Sequence, residues 1–227
     1  MANRSRSKGA CAYCGRVLPH SGMARHLDSC PTRAERLAET AGGAQSVPKT
    51  FLHLQVEDAY SGDYWLQLEM AGSTTLEALD RYLRAIWLEC CGHMSKFSVG
   101  DAWRGRDIGM TRRVERAFDS AEELIHVYDF GTSSVTRIRR VGERRGSAAT
   151  NRPVVMMARN DAPAFECMEC HASAALLCLE CVYDDRSGML CAEHGVGHPR
   201  DDDELMPVVN SPRMGLCGYT GPARPPY

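Results

Sequence analysis

The sequence of 227 residues predicts an α+β fold, an antiparallel sheet with one main helix packed across it. The first observation is the alternation of polar and apolar residues in TFLHLQVED, where Leu52, Leu54 and Val56 share one side. The second is a similar segment, YWLQLEM, which a short turn containing Gly62 and Asp63 separates from the first. Two alternating segments joined by such a turn are typical of a β-hairpin with a buried face.

The third observation is a helical pattern in STTLEALDRYLRAIWLECC. Thr74 and Glu77 have the spacing of a capping box, so we expect the helix to begin beside them. Five apolar residues then recur at helical spacing and mark a buried face: Leu76, Leu79, Leu83, Ile86 and Trp87. Further strands are predicted in KFSVG, ELIHVYDF, SSVTRIRRVGE and RPVVMMAR. Residues 50–160 are therefore expected to form one α+β domain.

The N-terminal segment has the spacing C-x2-C-x11-H-x3-C. Cys11 and Cys14 form a knuckle, while His26 and Cys30 lie four residues apart on a predicted helix that Ser21 would cap. Such a helix directs both side chains towards the knuckle, and the spacing is that of a zinc finger. A finger this short has little core, so the metal would supply most of its folding energy.

These patterns divide the chain into four parts. Residues 1–40 are predicted to hold the CCHC finger and a short helix, and the Gly, Ser and Pro of residues 41–49 are expected of a linker. The α+β domain spans residues 50–160. Residues 161–227 form a cysteine- and histidine-rich module, in which five cysteines and three histidines fall within 32 residues.

The C-terminal module has seven candidate ligands in closely spaced pairs, which exceed one tetrahedral site and fall one short of two. Cys217 is the candidate for the eighth ligand, and His171 is its rival. Interleaved pairing would form one Zn²⁺ site from Cys167, Cys170, Cys191 and His194, and another from Cys178, Cys181, His198 and Cys217. Sequential pairing is the alternative that the spacing leaves open. With the finger, about three Zn²⁺ ions per chain are predicted.

Compartment and metal chemistry support the same interpretation. The chain has no apolar run long enough for a membrane span, and its basic start lacks the apolar segment of a secretory signal. We therefore expect a cytoplasmic protein, in which disulfides are rare and eleven cysteines favour metal binding. An iron–sulfur cluster usually takes cysteine alone, whereas the histidines favour zinc.

Charge is unevenly distributed along the chain. Residues 1–50 carry eight Lys and Arg against three acids, and residues 160–205 carry eleven acids against two Arg. We expect DNA or RNA to contact the basic clusters, a protein partner to contact the acidic C-terminal module, and no membrane contact. The candidate nucleic-acid residues are Arg25, Arg137, Arg139 and Arg140. A solvated edge strand protected by charge is the alternative for the last three.

Three stretches of the central domain resemble the Ri-plasmid open-reading-frame-three-like family, whose members often ride as passengers on insertion elements. They are YWLQLEMAGSTTLEALDRYLRAIW, the CCGHMSKFSV that follows it, and LIHVYDFGTSS. The resemblance covers residues 50–145 and implies an α+β fold, but little about activity. Thr132 stands where an acid often follows YDFG, and ECCGH stands where an acidic run is common.

No catalytic residue is predicted. Cys90, Cys91 and His93 could suggest a nucleophile and its base, but packing or a helix-end hydrogen bond is the favoured interpretation. Together these observations predict a non-enzymatic multi-zinc binding or adaptor protein, associated with nucleic acid and with mobile elements. The alternative is a hydrolase or nuclease-like enzyme, which would need His93, Asp129 and His126 together in one pocket of the central domain.

Overall fold

The computed structural model describes residues 7–41, 48–198 and 205–222. Its strands are β1 (Lys8–Cys11), β2 (Val17–Pro19), β3 (Lys49–Asp58), β4 (Trp65–Ala71), β5 (Ser95–Val99), β6 (Arg106–Ile108), β7 (Glu123–Tyr128), β8 (Ser134–Gly146), β9 (Val154–Asn160), β10 (Leu176–Cys178), β11 (Met189–Leu190) and β12 (Leu205–Pro207). Its helices are α1 (His20–Ser29), α2 (Pro31–Ala41), α3 (Leu76–Leu83), α4 (Val114–Ala117), α5 (Leu179–Tyr183) and α6 (Ala192–Val196), and a π-helical turn, Arg84–Leu88, continues α3. Across these ranges, no helix combines the length and apolar character that crossing a membrane requires.

Nine strands form one sheet in the order β2-β1-β9-β4-β3-β8-β7-β5-β6, and each neighbouring pair is antiparallel. A second, three-stranded sheet has the order β11-β10-β12. The mixed helix and strand composition and the large antiparallel sheet confirm the α+β prediction. The hairpin predicted from residues 51–70 is the β3–β4 pair.

One face of the large sheet holds the main hydrophobic core. Leu52, Leu54 and Val56 of β3 lie there, as their alternation predicted, and they pack with Leu79 of α3 and Trp87 of the π-helical turn. The predicted capping box is wrong at its first position, because Thr75 rather than Thr74 precedes the helix and makes no side-chain capping bond. A single main helix is not confirmed, since α1 and α2 are each longer than the eight residues of α3.

The N-terminal finger is part of the large sheet. Strand β1 pairs with β9, so Gly9 lies opposite Asn160. A side chain at Gly9 would meet the Arg159 carbonyl oxygen at 2.0 Å, and glycine allows this close approach. Met23 and Leu27 of α1 are fully buried in a cluster with Trp65, so the finger also covers the second face of the sheet. Most of the linker predicted at residues 41–49 lies outside the described residues, and β1 and α1 connect the finger to the domain directly.

Residues 208–219, here called the C-terminal strap, return from the small sheet to the central domain. Ser211 donates from Oγ to the carbonyl oxygen of Trp87 at 2.6 Å. Asn210 accepts a hydrogen bond from Asn160 through its side-chain oxygen at 2.8 Å, and Arg159 donates to its carbonyl oxygen. The strap thus carries the end of the cysteine-rich module back to the helix and the sheet.

Candidate metal centres

The finger brings its four predicted ligands together. Cys11 ends β1 and Cys14 follows in the turn. His26 lies on α1, and Cys30 is the first residue after that helix. Their ligand atoms all lie within 4.8 Å of one another, and Cys14 Sγ is 3.3 Å from His26 Nε2. In a tetrahedral zinc site with bonds of about 2.3 Å to sulfur and about 2.0 Å to nitrogen, these two atoms would be about 3.5 Å apart. Ser21 lies inside α1, whose N-cap is Pro19, so the predicted cap is wrong.

The two knuckle cysteines differ in environment. Cys14 is exposed, and a hydrogen bond from the backbone N–H of Arg16 is the main cause that lowers the pKa of its thiol. Cys11 is buried, and desolvation raises the pKa of its thiol. A bound cation would instead lower the pKa of the Cys11 thiol, because a coordinating thiol is deprotonated by its metal.

The first C-terminal cluster follows the interleaved pairing. Cys167, Cys170, Cys191 and His194 have ligand atoms within 4.8 Å of one another. Cys170 Sγ lies 3.8 Å from Cys191 Sγ, and His194 Nδ1 lies 3.2 Å from Cys191 Sγ. Cys191 is the N-cap of α6, so its sulfur accepts the backbone N–H of His194 while the histidine ring turns to the same point. We call this group the first C-terminal cluster.

Thiolate formation is favoured at Cys167 and Cys191 of this cluster. At Cys170 a backbone hydrogen bond from Ala172 lowers the pKa of the thiol, but desolvation and the neighbouring thiols outweigh it and raise the pKa. Burial opposes ionisation of Cys167, but backbone hydrogen bonds, led by that from Cys191, outweigh it and lower the pKa of the thiol to about 6. A hydrogen bond with the Cys191 thiolate raises the pKa of His194. Backbone N–H groups directed at sulfur are the outer shell that a metal–thiolate centre uses to stabilise its negative charge.

The second C-terminal cluster contains Cys178, Cys181 and His198. Cys178 is the N-cap of α5 and accepts the N–H of Cys181, whose own Sγ lies 3.3 Å from His198 Nε2. Within the described ranges, three ligand atoms meet at this point. The prediction that Cys217 completes this site is wrong, because Cys217 lies elsewhere. Its rival His171 is exposed and lies 3.3 Å from Glu166.

Cys217 belongs to a fourth cluster, with Cys90, Cys91 and His93. Its Sγ is 3.6 Å from Cys91 Sγ and 3.2 Å from His93 Nε2. The sequence interpretation assigned Cys90, Cys91 and His93 to packing or a helix-end hydrogen bond and missed this group. A signal was present, since Cys90-x2-His93 has the spacing of Cys191-x2-His194.

The arginines expected to contact nucleic acid are placed differently from one another. Arg25 is exposed on α1. Arg139 donates to Glu123 at 2.6 Å, and Arg137 lies 3.4 Å from Glu57. Arg140 lies 3.8 Å from Glu143. A carboxylate thus lies beside each of these three β8 arginines, while Arg25 is on the surface of the finger.

The pocket that the enzyme alternative requires is not assembled from its three residues. His93 Nε2 lies 3.4 Å from Asp129 Oδ2. His126 instead is fully buried and bonds to Asp80 Oδ1 at 2.8 Å, in a network with Ser95. Asp129 Oδ1 accepts the N–H of Gly131 at 3.0 Å and so stabilises the turn that follows β7.

No family model and no curated protein matches the chain. Among solved structures, it is similar to the crystal structure of a protein of unknown function from Methanosarcina mazei Go1, with 12% sequence identity and a TM-score of 0.40. The match covers 56% of this chain and 70% of that chain. A likeness of this size carries no argument about function, and the Ri-plasmid resemblance stays a prediction.

Proposed function

We propose that this protein is a non-enzymatic, multi-zinc binding protein whose Cys/His centres are structural and hold two small modules against an α+β sheet. The observation that carries the proposal is that the predicted ligands of the finger and of the first C-terminal cluster meet, each as four Cys or His ligand atoms within 4.8 Å of one another. Four protein ligands close a tetrahedral site, whereas catalytic zinc keeps one position for water or substrate.

The mixture of ligands favours zinc over other metals. Each of these two clusters offers three thiols and one imidazole. Tetrahedral sites of sulfur and nitrogen are typical of Zn²⁺, while iron–sulfur clusters usually take thiolates alone. Zn²⁺ has no redox chemistry, so its contribution here would be to folding and to the shape of a binding surface.

The finger and the C-terminal module each contribute little core of their own, which supports a structural role for the metal. The buried apolar cluster around the C-terminal ligands consists of four of their cysteines and Leu190, and the small sheet buries only Leu177 and Met206 besides. Removing zinc from such a module would leave buried thiols with few apolar contacts to replace the lost bonds. The modules would then present a partner surface only when loaded with metal.

Native mass spectrometry of the full chain tests this proposal. The finger and the two C-terminal clusters should hold about three Zn²⁺ ions, and Cys30→Ser and Cys191→Ser should each remove one. His171→Ala is the matched control, because this histidine lies outside all four clusters. A wild-type chain that is folded without metal would contradict the proposal.

Cobalt substitution separates structural from catalytic metal. The test uses a Cys181→Ser variant, which removes the cluster in which three ligand atoms meet and leaves clusters of four ligands each. Co²⁺ in this variant should keep its visible absorption spectrum when azide is added, because no position is free at a site closed by four protein ligands. A spectral change on addition of azide would indicate an open position and favour the hydrolase alternative.

A nucleic-acid contact is the second candidate, favoured by one observation. Arg16 and Arg25 are both exposed on the finger, beside its ligands Cys14 and His26. Guanidinium groups bind phosphate bidentately, so this side of the finger is where we propose that DNA or RNA would bind. Binding of this kind must weaken steeply with salt.

A further inference from the structure

We propose that Cys90, Cys91, His93 and Cys217 bind a further Zn²⁺ ion, which fastens the C-terminal strap to the segment between the π-helical turn and β5. The four ligand atoms lie within 4.8 Å of one another. This inference rests on the proposed function in one respect, namely that the chain's Cys/His clusters are zinc sites.

The distances within the cluster suit a tetrahedral ion. Cys90 Sγ and Cys91 Sγ are 3.7 Å apart, and Cys91 Sγ and Cys217 Sγ are 3.6 Å apart. Two thiolates on one zinc ion, with bonds of about 2.3 Å, would be about 3.8 Å apart. His93 Nε2 lies 3.0 Å from Cys91 Sγ, so a modest outward shift of the ring would complete the site.

The cluster accounts for the cysteines that the other centres leave over. The chain has eleven cysteines, and each of them falls in one of the four clusters. Cys90, Cys91 and Cys217 are the three that the finger and the two C-terminal clusters do not use. With His93 they repeat the ligand composition of the finger, three thiols and one imidazole.

The backbone at Cys217 adopts an unusual conformation. Cys217 has a φ of 50°, in the left-handed region that residues other than glycine seldom adopt. Gly215 and Gly218, on either side, also have positive φ values, of 76° and 64°. A non-glycine residue held in this conformation requires compensation from its surroundings, and a metal bond would provide it.

The strap is anchored beside the cluster by a buried arginine. Arg213 is fully buried and donates through Nη2 to Asp129 Oδ2 at 2.6 Å and to Cys90 Sγ at 3.5 Å. Three thiolates and one neutral imidazole on Zn²⁺ carry a net negative charge. A guanidinium that donates to one of the sulfurs is the type of outer-shell partner that stabilises such a centre.

A disulfide does not explain the group. The sulfur atoms are separated by 3.6 Å and 3.7 Å, well above a disulfide bond of about 2.05 Å. A bond between any two of these cysteines would also leave the third thiol and the histidine without a role.

A Cys–His–Asp triad does not explain it either. In a triad the carboxylate binds the ring nitrogen opposite the one that faces the nucleophile. Here Cys91 Sγ and Asp129 Oδ2 both approach the same atom, His93 Nε2, at 3.0 Å and 3.4 Å. Convergence on one nitrogen is instead the arrangement expected around a cation bound at that nitrogen.

Zinc counting on the full chain tests the proposal. Native mass spectrometry should give about four ions for the wild type and about three for both Cys217→Ser and His93→Ala, with His171→Ala unchanged. Cys217 lies on the strap, whereas His93 lies on the segment before β5. Misfolding of the strap alone would therefore not explain the loss of one zinc ion in both variants. Hydrogen exchange should be faster in residues 208–219 of both variants and unchanged in the finger.

The outcomes separate this inference from the proposed function. A wild-type chain with about three ions, and the same count in Cys217→Ser and His93→Ala, would overturn the fourth site and leave the proposed function standing. A chain without zinc would overturn both. Loss of one ion in both variants with faster exchange of the strap supports the site and its fastening role.

Discussion

The Arg33 guanidinium donates to Oε2 of Glu69 at 2.7 Å, and this buried ion pair joins the helix after the finger to the centre of the large sheet. Arg144 of β8 donates to the other carboxylate oxygen, Oε1, at 2.5 Å. One carboxylate therefore holds two arginines from different parts of the chain. The side chain of Glu69 is only 3% exposed, so water cannot replace either partner.

We expect Glu69→Gln to destabilise the protein by about 3–5 kcal/mol, because it leaves buried arginine charge without its partner. Urea unfolding monitored by circular dichroism measures the change in the free energy of unfolding. Glu143→Gln is the matched control, since that glutamate forms an exposed pair with Arg140 and should cost less than about 1 kcal/mol. Equal effects of the two substitutions would contradict the structural role of Glu69.

The same carboxylate makes stability depend on pH. Burial opposes ionisation of Glu69, but hydrogen bonds and charges from Arg144 and Arg33 outweigh it, and the pKa lies below its usual value. A lowered folded-state pKa stabilises the protein above the unfolded pKa, and this contribution is lost as the pH falls through the folded value. Unfolding free energies between neutral and acidic pH should therefore fall less steeply in Glu69→Gln than in the wild type. Parallel pH profiles would count against this.

His26→Ala should disturb more than the finger. Removal of this ligand loosens α1, whose Met23 and Leu27 cover Trp65, and Trp65 also stacks on His20 with ring centroids 4.9 Å apart. We expect the tryptophan fluorescence of the variant to shift to longer wavelength as Trp65 becomes exposed to water. We expect the effect to spread beyond residues 11–30, because β1 of the finger pairs with β9 of the large sheet.

Two controls make that experiment specific. His171→Ala removes a histidine outside the clusters and should leave the spectrum unchanged. Trp65→Phe should abolish most of the shift caused by His26→Ala. The other two tryptophans should contribute little, because Trp87 lies in the main core on the other face of the sheet and Trp103 is already half exposed. A shift that persists in the double variant would place the change elsewhere.

Arginine substitutions distinguish the two basic regions. If nucleic acid binds the exposed finger, Arg25→Ala should weaken binding and flatten the salt dependence by about one unit in a gel-shift titration. Replacing Arg137, Arg139 and Arg140 together should flatten it by much less than three units, because Glu57, Glu123 and Glu143 lie beside them. Absence of any complex with DNA or RNA at low salt would exclude the nucleic-acid candidate and leave a protein partner.

Local pattern alone determined several features of this protein. Alternation in β3 and β4 predicted the hairpin and its buried face, because side chains on a strand alternate between the two sides of a sheet. Ligand pairs such as Cys11 with Cys14, and His26 with Cys30, are separated by two or three residues. A turn or one helical turn brings such neighbours to one point whatever the rest of the chain does.

Only the tertiary structure decided how distant parts meet. Cys217 lies more than a hundred residues from Cys91 along the chain, and its partner is set by the path of the strap, which Arg213 anchors to Asp129. The docking of the finger likewise depends on the edge of β9 with which β1 pairs, and on Glu69 in the sheet. Periodicity and spacing describe neighbours within a few residues. Contacts across the fold depend on packing and on buried charges that find their partners only when the whole sheet has formed.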